Sequence, residues 1–216
     1  MSRLILAVDT TGEYGSLALL RDEELLEEVP LHAPLGFAQV LYGSLAELLA
    51  RHALKIGDVD CFAAASGPGS FTGVRVGLAC VKGLAEALGR PAVAVSNLQA
   101  IAEFGTAPLR AAVLDAHRGE VYGAVYDAAS RLVLPEVVTK FEAWTETLPE
   151  GDLEFITSGF TPPLVGTRFE KAPVRIGPRE LAGAIGRLAS RADPQDPAAL
   201  DANYVRRADA ELLWKE

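Results

Sequence analysis

Two segments half a chain apart carry the same pattern, and this repeat constrains the fold more than any other feature. Leu4 to Val8 is an unbroken apolar run ending in Asp9, and Leu109 to Leu114 is a second, mostly apolar run ending in Asp115. Short apolar runs of this kind read as strands buried on both faces. Each passes through a polar turn holding a glycine, Gly12 or Gly119, into another strand: Gly15 to Arg21 in the first half, Glu120 to Tyr126 in the second. Leu25 to Val29 and Leu132 to Lys140 supply third strands. The two aspartates lie 106 positions apart in 216 residues, so an internal duplication is the simplest account. The pattern predicts an α/β protein of two lobes built from duplicated βββαβα units. Breakers at Gly105 to Pro108 place the boundary, giving lobes 1–104 and 105–216.

Between the strands, apolar spacing predicts a helix over Phe37 to His52 and another running from Thr72 to Leu88, stopped by Gly89-Arg90-Pro91. Asp60 to Ala65 and Ala92 to Val95 read as strands, and Leu98 to Phe104 as a short helix after a cap at Ser96 or Asn97. The second half offers a strand at Glu154 to Ser158 and a helix at Pro178 to Ala192. A Pro-interrupted tail from Asp193 to Asn203 then precedes Tyr204-Val205-Arg206-Arg207 and is free to return to the first lobe.

Composition narrows the function. Half of the residues are hydrophobic and 23% are charged, as in a globular domain. A net charge of −9 repels a phosphate backbone, so autonomous tRNA or DNA binding is not expected. Cys61 and Cys80 are too few for a disulfide scaffold or a zinc site, which points to a reducing, cytoplasmic setting. No apolar run approaches the roughly 18 residues of a membrane helix, and no charged-then-apolar leader opens the chain. His32, His52 and His117 are scattered without metal-binding spacing, so no metal site is expected.

Asp9-Thr10-Thr11-Gly12, a strand end in a tight turn, offers hydroxyls, amides and a carboxylate suited to a nucleotide phosphate with hydrated magnesium. The same residues also satisfy turn amides routinely. The loop Ser66 to Gly73 matches no phosphate motif: Val74 and Arg75 stand where a Walker loop needs Lys and Ser or Thr, and the glycine spacing is wrong for a dinucleotide fingerprint. Thr72 spoils a nucleophile elbow at Ser70. No serine or cysteine nucleophile is supported, and His117 with Asp115, Arg118 and Glu120 reads more readily as a hairpin than as a catalytic cluster. The helix after the loop has Arg75, Lys82 and Glu86 as its only charges. Gly73, Gly77, Cys80, Gly83 and Ala87 form a small-residue row beside a core row of Val74, Leu78, Val81, Ala85 and Leu88. The small row can be covered by the helix at Phe37 to His52 or by another subunit.

Leu4 to Thr11, Ser66-Gly-Pro-Gly-Ser-Phe-Thr-Gly-Val-Arg-Val-Gly77, Lys82-Gly-Leu-Ala85 and Leu114-Asp-Ala-His-Arg-Gly-Glu-Val-Tyr122 together resemble the TsaB (YeaZ) family. The likeness runs through most of the chain and returns at Tyr204-Val205-Arg206, where Ala202 replaces an expected proline. It implies the duplicated fold of actin, Hsp70 and sugar kinases, the ASKHA fold. It also implies a non-catalytic scaffold in the complex that adds threonylcarbamoyl to the adenosine beside the tRNA anticodon. The catalytic work then belongs to the paralogue TsaD, whose metal-binding histidine pair this chain lacks. The implied partners are a TsaD-like subunit, a TsaE-like ATPase and a second copy when alone, with tRNA met only through the complex. ATP or ADP with magnesium at the lobe cleft or subunit interface is the only cofactor suggested, with Asp9, Thr10, Thr11, Gly12 and Asp115 as its candidate ligands. Carried onto this sequence, the partner interface is Gly73, Val76, Gly77, Cys80, Gly83, Leu84 and Ala87, with the Phe37 to His52 helix beside them. On that reading Gly77→Leu should block heterodimer formation without unfolding the chain. An ATP-using small-molecule kinase is the alternative, and a glycoprotease-like peptidase the third reading.

Overall fold

A computed structural model describes residues 2–34 and 36–205. The chain divides into two compact units, the first made of residues up to Ala100 with Arg179–Asn203, the second of Ile101–Pro178 with Tyr204 and Val205.

In the first unit β1 (Leu4–Asp9), β2 (Tyr14–Arg21) and β3 (Glu24–His32) form an antiparallel meander. Then come α1 (Leu41–Arg51), β4 (Cys61–Gly67), α2 (Phe71–Leu88), β5 (Ala92–Ser96) and α3 (Asn97–Ala102). The sheet order is β3-β2-β1-β4-β5, with β4 parallel to both neighbours. Every residue of β1 is buried, as its unbroken apolar run requires. The first helix starts at Leu41 rather than Phe37, because Phe37–Gln39 closes as a separate 3-10 turn. α2 is bounded by its own chemistry: the Ser70 hydroxyl accepts from the Gly73 amide, and Gly89 ends the helix in the left-handed conformation at φ 59°.

The second unit repeats this plan. β6 (Leu109–Asp115), β7 (Glu120–Asp127) and β8 (Leu132–Lys140) form a meander, followed by α4 (Phe141–Thr147), β9 (Leu153–Thr157) and β10 (Val174–Ile176). The sheet order β10-β9-β6-β7-β8 is that of the first sheet, element for element, with the same parallel and antiparallel pairings. The duplication inferred from Asp9 and Asp115 is therefore present in the strand pairing. One piece differs: α2 joins β4 to β5, but residues 158–173 join β9 to β10 without a helix. The core here is aromatic, with Trp144 and Phe155 edge to face at 6.1 Å and Phe141 and Phe169 beside them.

Glu154 is a buried carboxylate that fastens this second unit. It accepts from the amides of Thr106 at 2.7 Å and Ala107 at 3.3 Å and from Arg175 Nε at 2.8 Å. Burial pushes its carboxyl up, but the two amides and the guanidinium outweigh that and hold it below the ordinary value of 4.5. A carboxyl lowered in the folded state contributes stability above its unfolded value and loses it as pH falls through the folded one. Unfolding temperatures taken from roughly pH 6 down to pH 3 should therefore fall less steeply in Glu154→Gln than in the wild type.

The C-terminal stretch corrects the expected lobes, which gave 105–216 to the second and left only the tail after Asp193 free to return to the first. α5 (Ala182–Arg191) packs against β1, β2, β4 and β5 of the first unit. There it covers the face that alternates away from α1 and α2, with Gly186 against Leu20 and the Ala182 amide bonded to Ser16 Oγ. The tail continues along the same unit: Gln195 bridges Ala92, Lys82 Nζ donates to the carbonyls of Ala198 and Leu200, and Asn203 N donates to Ser66 O. Arg206 and Arg207 lie outside the described residues.

Candidate functional site

The strand end of β1 is the one place where several predicted site residues meet. Asp9 is buried, and its Oδ1 accepts from Thr11 N at 2.9 Å and from Thr11 Oγ1 at 2.6 Å. Thr11 Oγ1 in turn accepts from Asn97 Nδ2 at 2.7 Å, while Asn97 Oδ1 accepts from Gly67 N at 3.0 Å. Thr10 Oγ1 donates to Gly73 O at 2.7 Å, and Ser70 N donates to Thr11 O at 2.6 Å. Burial pushes the Asp9 carboxyl above the usual carboxylate range, with Glu28 adding to the rise, against the Thr11 and Asn97 hydrogen bonds that hold it down.

The turn is therefore a knot. It ties β1 to the glycine-rich loop, to the first turn of α2 and, through Asn97, to the start of α3. Both threonine hydroxyls donate inside the chain and Asp9 is 2% exposed, so this donor set does not fit a nucleotide phosphate. Gly12 is exposed beside the knot. Asp115, the equivalent residue of the second unit, behaves oppositely: it is exposed and accepts from the His117 amide at 2.7 Å, as a solvated hairpin residue does. Asn97 is the residue that sequence reasoning missed, having taken it only as a helix cap. Its one legible signal is a short amide side chain at the junction of an apolar strand and a helix.

α2 leaves the knot with a different outer face from the expected one. An added Cβ at Gly73 would sit 2.0 Å from Thr10 O, and one at Gly77 would sit 2.6 Å from Thr10 Oγ1. These two glycines press on the chain's own β1 turn, and Cys80 is buried as well, so none of the three can face a partner. Gly77→Leu is accordingly a folding lesion and not a probe of an interface. Val76 and Leu84 are half-buried. Gly83 and Ala87 are exposed, and they continue a row of Phe71, Arg75 and Ala79 at helical spacing. Arg75 lies over the Phe71 ring at 3.7 Å. Tyr42 on α1, 58% exposed, adjoins this row, and its phenol is pushed up by the Cys80 sulfur beside it. Aromatic and arginine side chains around small residues are the usual composition of a binding hot spot.

The three histidines are dispersed: His32 meets Glu13, His52 meets Glu27 and His117 meets Asp115. Among the described residues no group of three His, Cys, Asp or Glu is placed to hold a metal ion. Among the same residues no helix is long and apolar enough to cross a membrane.

Residues 28–166 match the sequence profile of TsaD, tRNA N6-adenosine threonylcarbamoyltransferase. The tRNA threonylcarbamoyladenosine biosynthesis protein TsaB of Bacillus subtilis is 30% identical over 98% of both chains. Its Escherichia coli namesake is 32% identical over 72% of this chain and 70% of its own. Among solved structures, YeaZ from Pseudomonas aeruginosa superposes with a TM-score of 0.76 at 28% identity, covering 94% of this chain and 99% of that one. Component A of the (R)-2-hydroxyglutaryl-CoA dehydratase of Acidaminococcus fermentans shares only the fold, with a TM-score of 0.54 at 10% identity over 88% of this chain and 98% of its own. With a relative matched end to end, the repeated sheets and the glycine-rich loop knotted to β1, the chain belongs to the TsaB (YeaZ) family.

Proposed function

We propose that this chain is a non-catalytic subunit of the machinery that forms threonylcarbamoyladenosine in tRNA, and that it binds a TsaD-like catalytic paralogue through the outer faces of α2 and α1. The observation that carries this reading is the exposed row Phe71, Arg75, Ala79, Gly83 and Ala87. Small residues let a partner helix approach closely, while Phe71, Arg75 and Tyr42 supply anchors at its rim. Binding there acts by differential affinity: the subunit shifts its partner toward a competent conformation and contributes no reacting group. The knotted Asp9 turn supports the non-catalytic part, since its hydroxyls and carboxylate are spent inside the chain. Nucleotide turnover is then assigned to a TsaE-like ATPase partner, tRNA is met within the complex, and the same helix face serves self-association when the chain is alone.

The test is incorporation of labelled threonine into unmodified tRNA by the TsaD-like subunit, its carbamoyl-adenylate-forming enzyme and a TsaE-like ATPase. Incorporation should require this chain. Gly83→Trp should abolish both incorporation and co-elution with the TsaD-like subunit, while its unfolding temperature stays within about 2 °C of wild type, because a Cβ at Gly83 meets nothing within 4 Å. A Gly83→Trp protein that still forms the complex would remove α2 as the interface. Magnesium-dependent ATP turnover by the isolated chain, lost in Asp9→Ala, would favour the kinase reading instead.

A further inference from the structure

Beyond α5, residues 193–203 run along the flank of α2 as a strap. The strap is pinned at both ends. Gln195 and Ala92 exchange main-chain hydrogen bonds at 2.9 and 3.2 Å, Leu200 is 3% exposed in the core, and the Asn203 amide donates to Ser66 O at 2.8 Å. Between the pins a 3-10 turn, Pro197–Ala199, lies against α2, capped by Asp196 Oδ1, which accepts from the Ala198 amide at 2.9 Å. Lys82 holds this stretch from the helix: its Nζ donates to Leu200 O at 2.9 Å and to Ala198 O at 3.3 Å. Water can take the place of an ammonium at surface carbonyls, so Lys82 fixes where the strap lies more than it stabilises the fold.

The place of the strap beside the partner face follows from helix geometry. At about 3.6 residues per turn, Lys82 falls on one side of the exposed Ala79, Gly83 and Ala87, and Cys80 falls on the other. Tyr42 of α1 stands on the Cys80 side and the strap on the Lys82 side. The small residues are thus a floor with a wall on each flank. At the C-terminal end of this floor, the strap and the last turn of α2 leave a hollow of about 410 Å³, lined by Glu86, Gly89, Arg90, Pro194 and Pro197 among others. On the strap itself Ala198 and Ala199 are exposed.

We propose that the strap is part of the surface that takes up the TsaD-like paralogue, and that Lys82 is the residue that positions it. A helix of the partner laid along α2 is held between Tyr42 and the strap, with one side chain in the hollow. This rests on the α2 face proposed above and extends it to residues 195–200.

Titration calorimetry of the full chain with the TsaD-like subunit tests it. Ala198→Trp combined with Ala199→Trp should weaken binding about tenfold, while the unfolding temperature stays within about 2 °C of wild type, because both positions are exposed in the free chain. Lys82→Met keeps the aliphatic stem and loses the ammonium; it should weaken binding about threefold, and Lys82→Arg should restore it. Hydrogen exchange at the Ala199 and Leu200 amides gives an independent reading: faster in Lys82→Met than in wild type, and slowed in wild type by the partner. Exchange that the partner leaves unchanged would overturn the proposal. If Gly83→Trp abolishes the complex while the double tryptophan variant and Lys82→Met bind like wild type, the strap lies outside the interface and the proposal falls with the α2 face intact. Weak binding by the tryptophan variant with wild-type binding by Lys82→Met would remove Lys82 as the positioning residue. Normal binding by both Gly83→Trp and the double variant would remove the α2 face itself.

Discussion

Gly73→Ala should lower the unfolding temperature of the protein by about 8 °C, a loss of about 3 kcal/mol, although it adds one methyl group. That methyl would lie 2.0 Å from the carbonyl oxygen of Thr10. The carbonyl cannot retreat, because β1 is paired on both sides, to β2 and to β4, up to the turn. Gly83→Ala, ten residues along the same helix, should do the reverse and raise stability by about 0.5 to 1 kcal/mol, since alanine is the better helix former and nothing lies near the new methyl. Thermal denaturation of the two variants side by side reads the difference directly. Equal stability would mean that α2 does not lean on β1 as described.

Trp144→Ala should cost the second unit about 3 to 5 kcal/mol, the range for emptying a large aromatic site. Trp144 is 1% exposed and packs edge to face with Phe155 and Phe141. Its ring also takes up the space over Gly123, where an added Cβ would come within 2.4 Å of it. The indole Nε1 has no hydrogen-bond partner, so Trp144→Phe, which keeps most of the ring and drops the buried N–H, should recover most of the loss. Denaturant unfolding monitored by near-ultraviolet circular dichroism checks both. A mild effect in the alanine variant would show that this core can collapse around the gap.

The duplication was legible because a strand buried on both faces leaves a run of apolar residues, and two such runs ending in aspartate are rare enough to compare. The span of α2 was legible to within a residue, from its apolar spacing and from Gly89 and Pro91 at its end. Which side of α2 faces inward was not. A glycine row has the same appearance whether it admits a partner helix or the chain's own backbone, and only the approach of Thr10 decides that Gly73 and Gly77 belong to the second case. Asn97 escaped for a related reason: its role needs Thr11 and Gly67, which are far from it in sequence and which nothing local announces. The helix near Pro178 to Ala192 was legible from its periodicity, yet periodicity does not say which sheet a helix covers, and here α5 covers the first. The strand β10 is three residues between prolines, too short for alternation to register.

The interleaving of the chain has a consequence for synthesis. The first unit opens at the N-terminus but is completed only by Arg179–Asn203, whereas the second unit has all its sheet strands by Ile176. On the ribosome the earlier-begun unit therefore waits, with the face of β1 and β2 that α5 will cover still bare, while the later-begun one can already close. The unit whose first strand is made first is the one whose covering helix is made after every strand of both sheets.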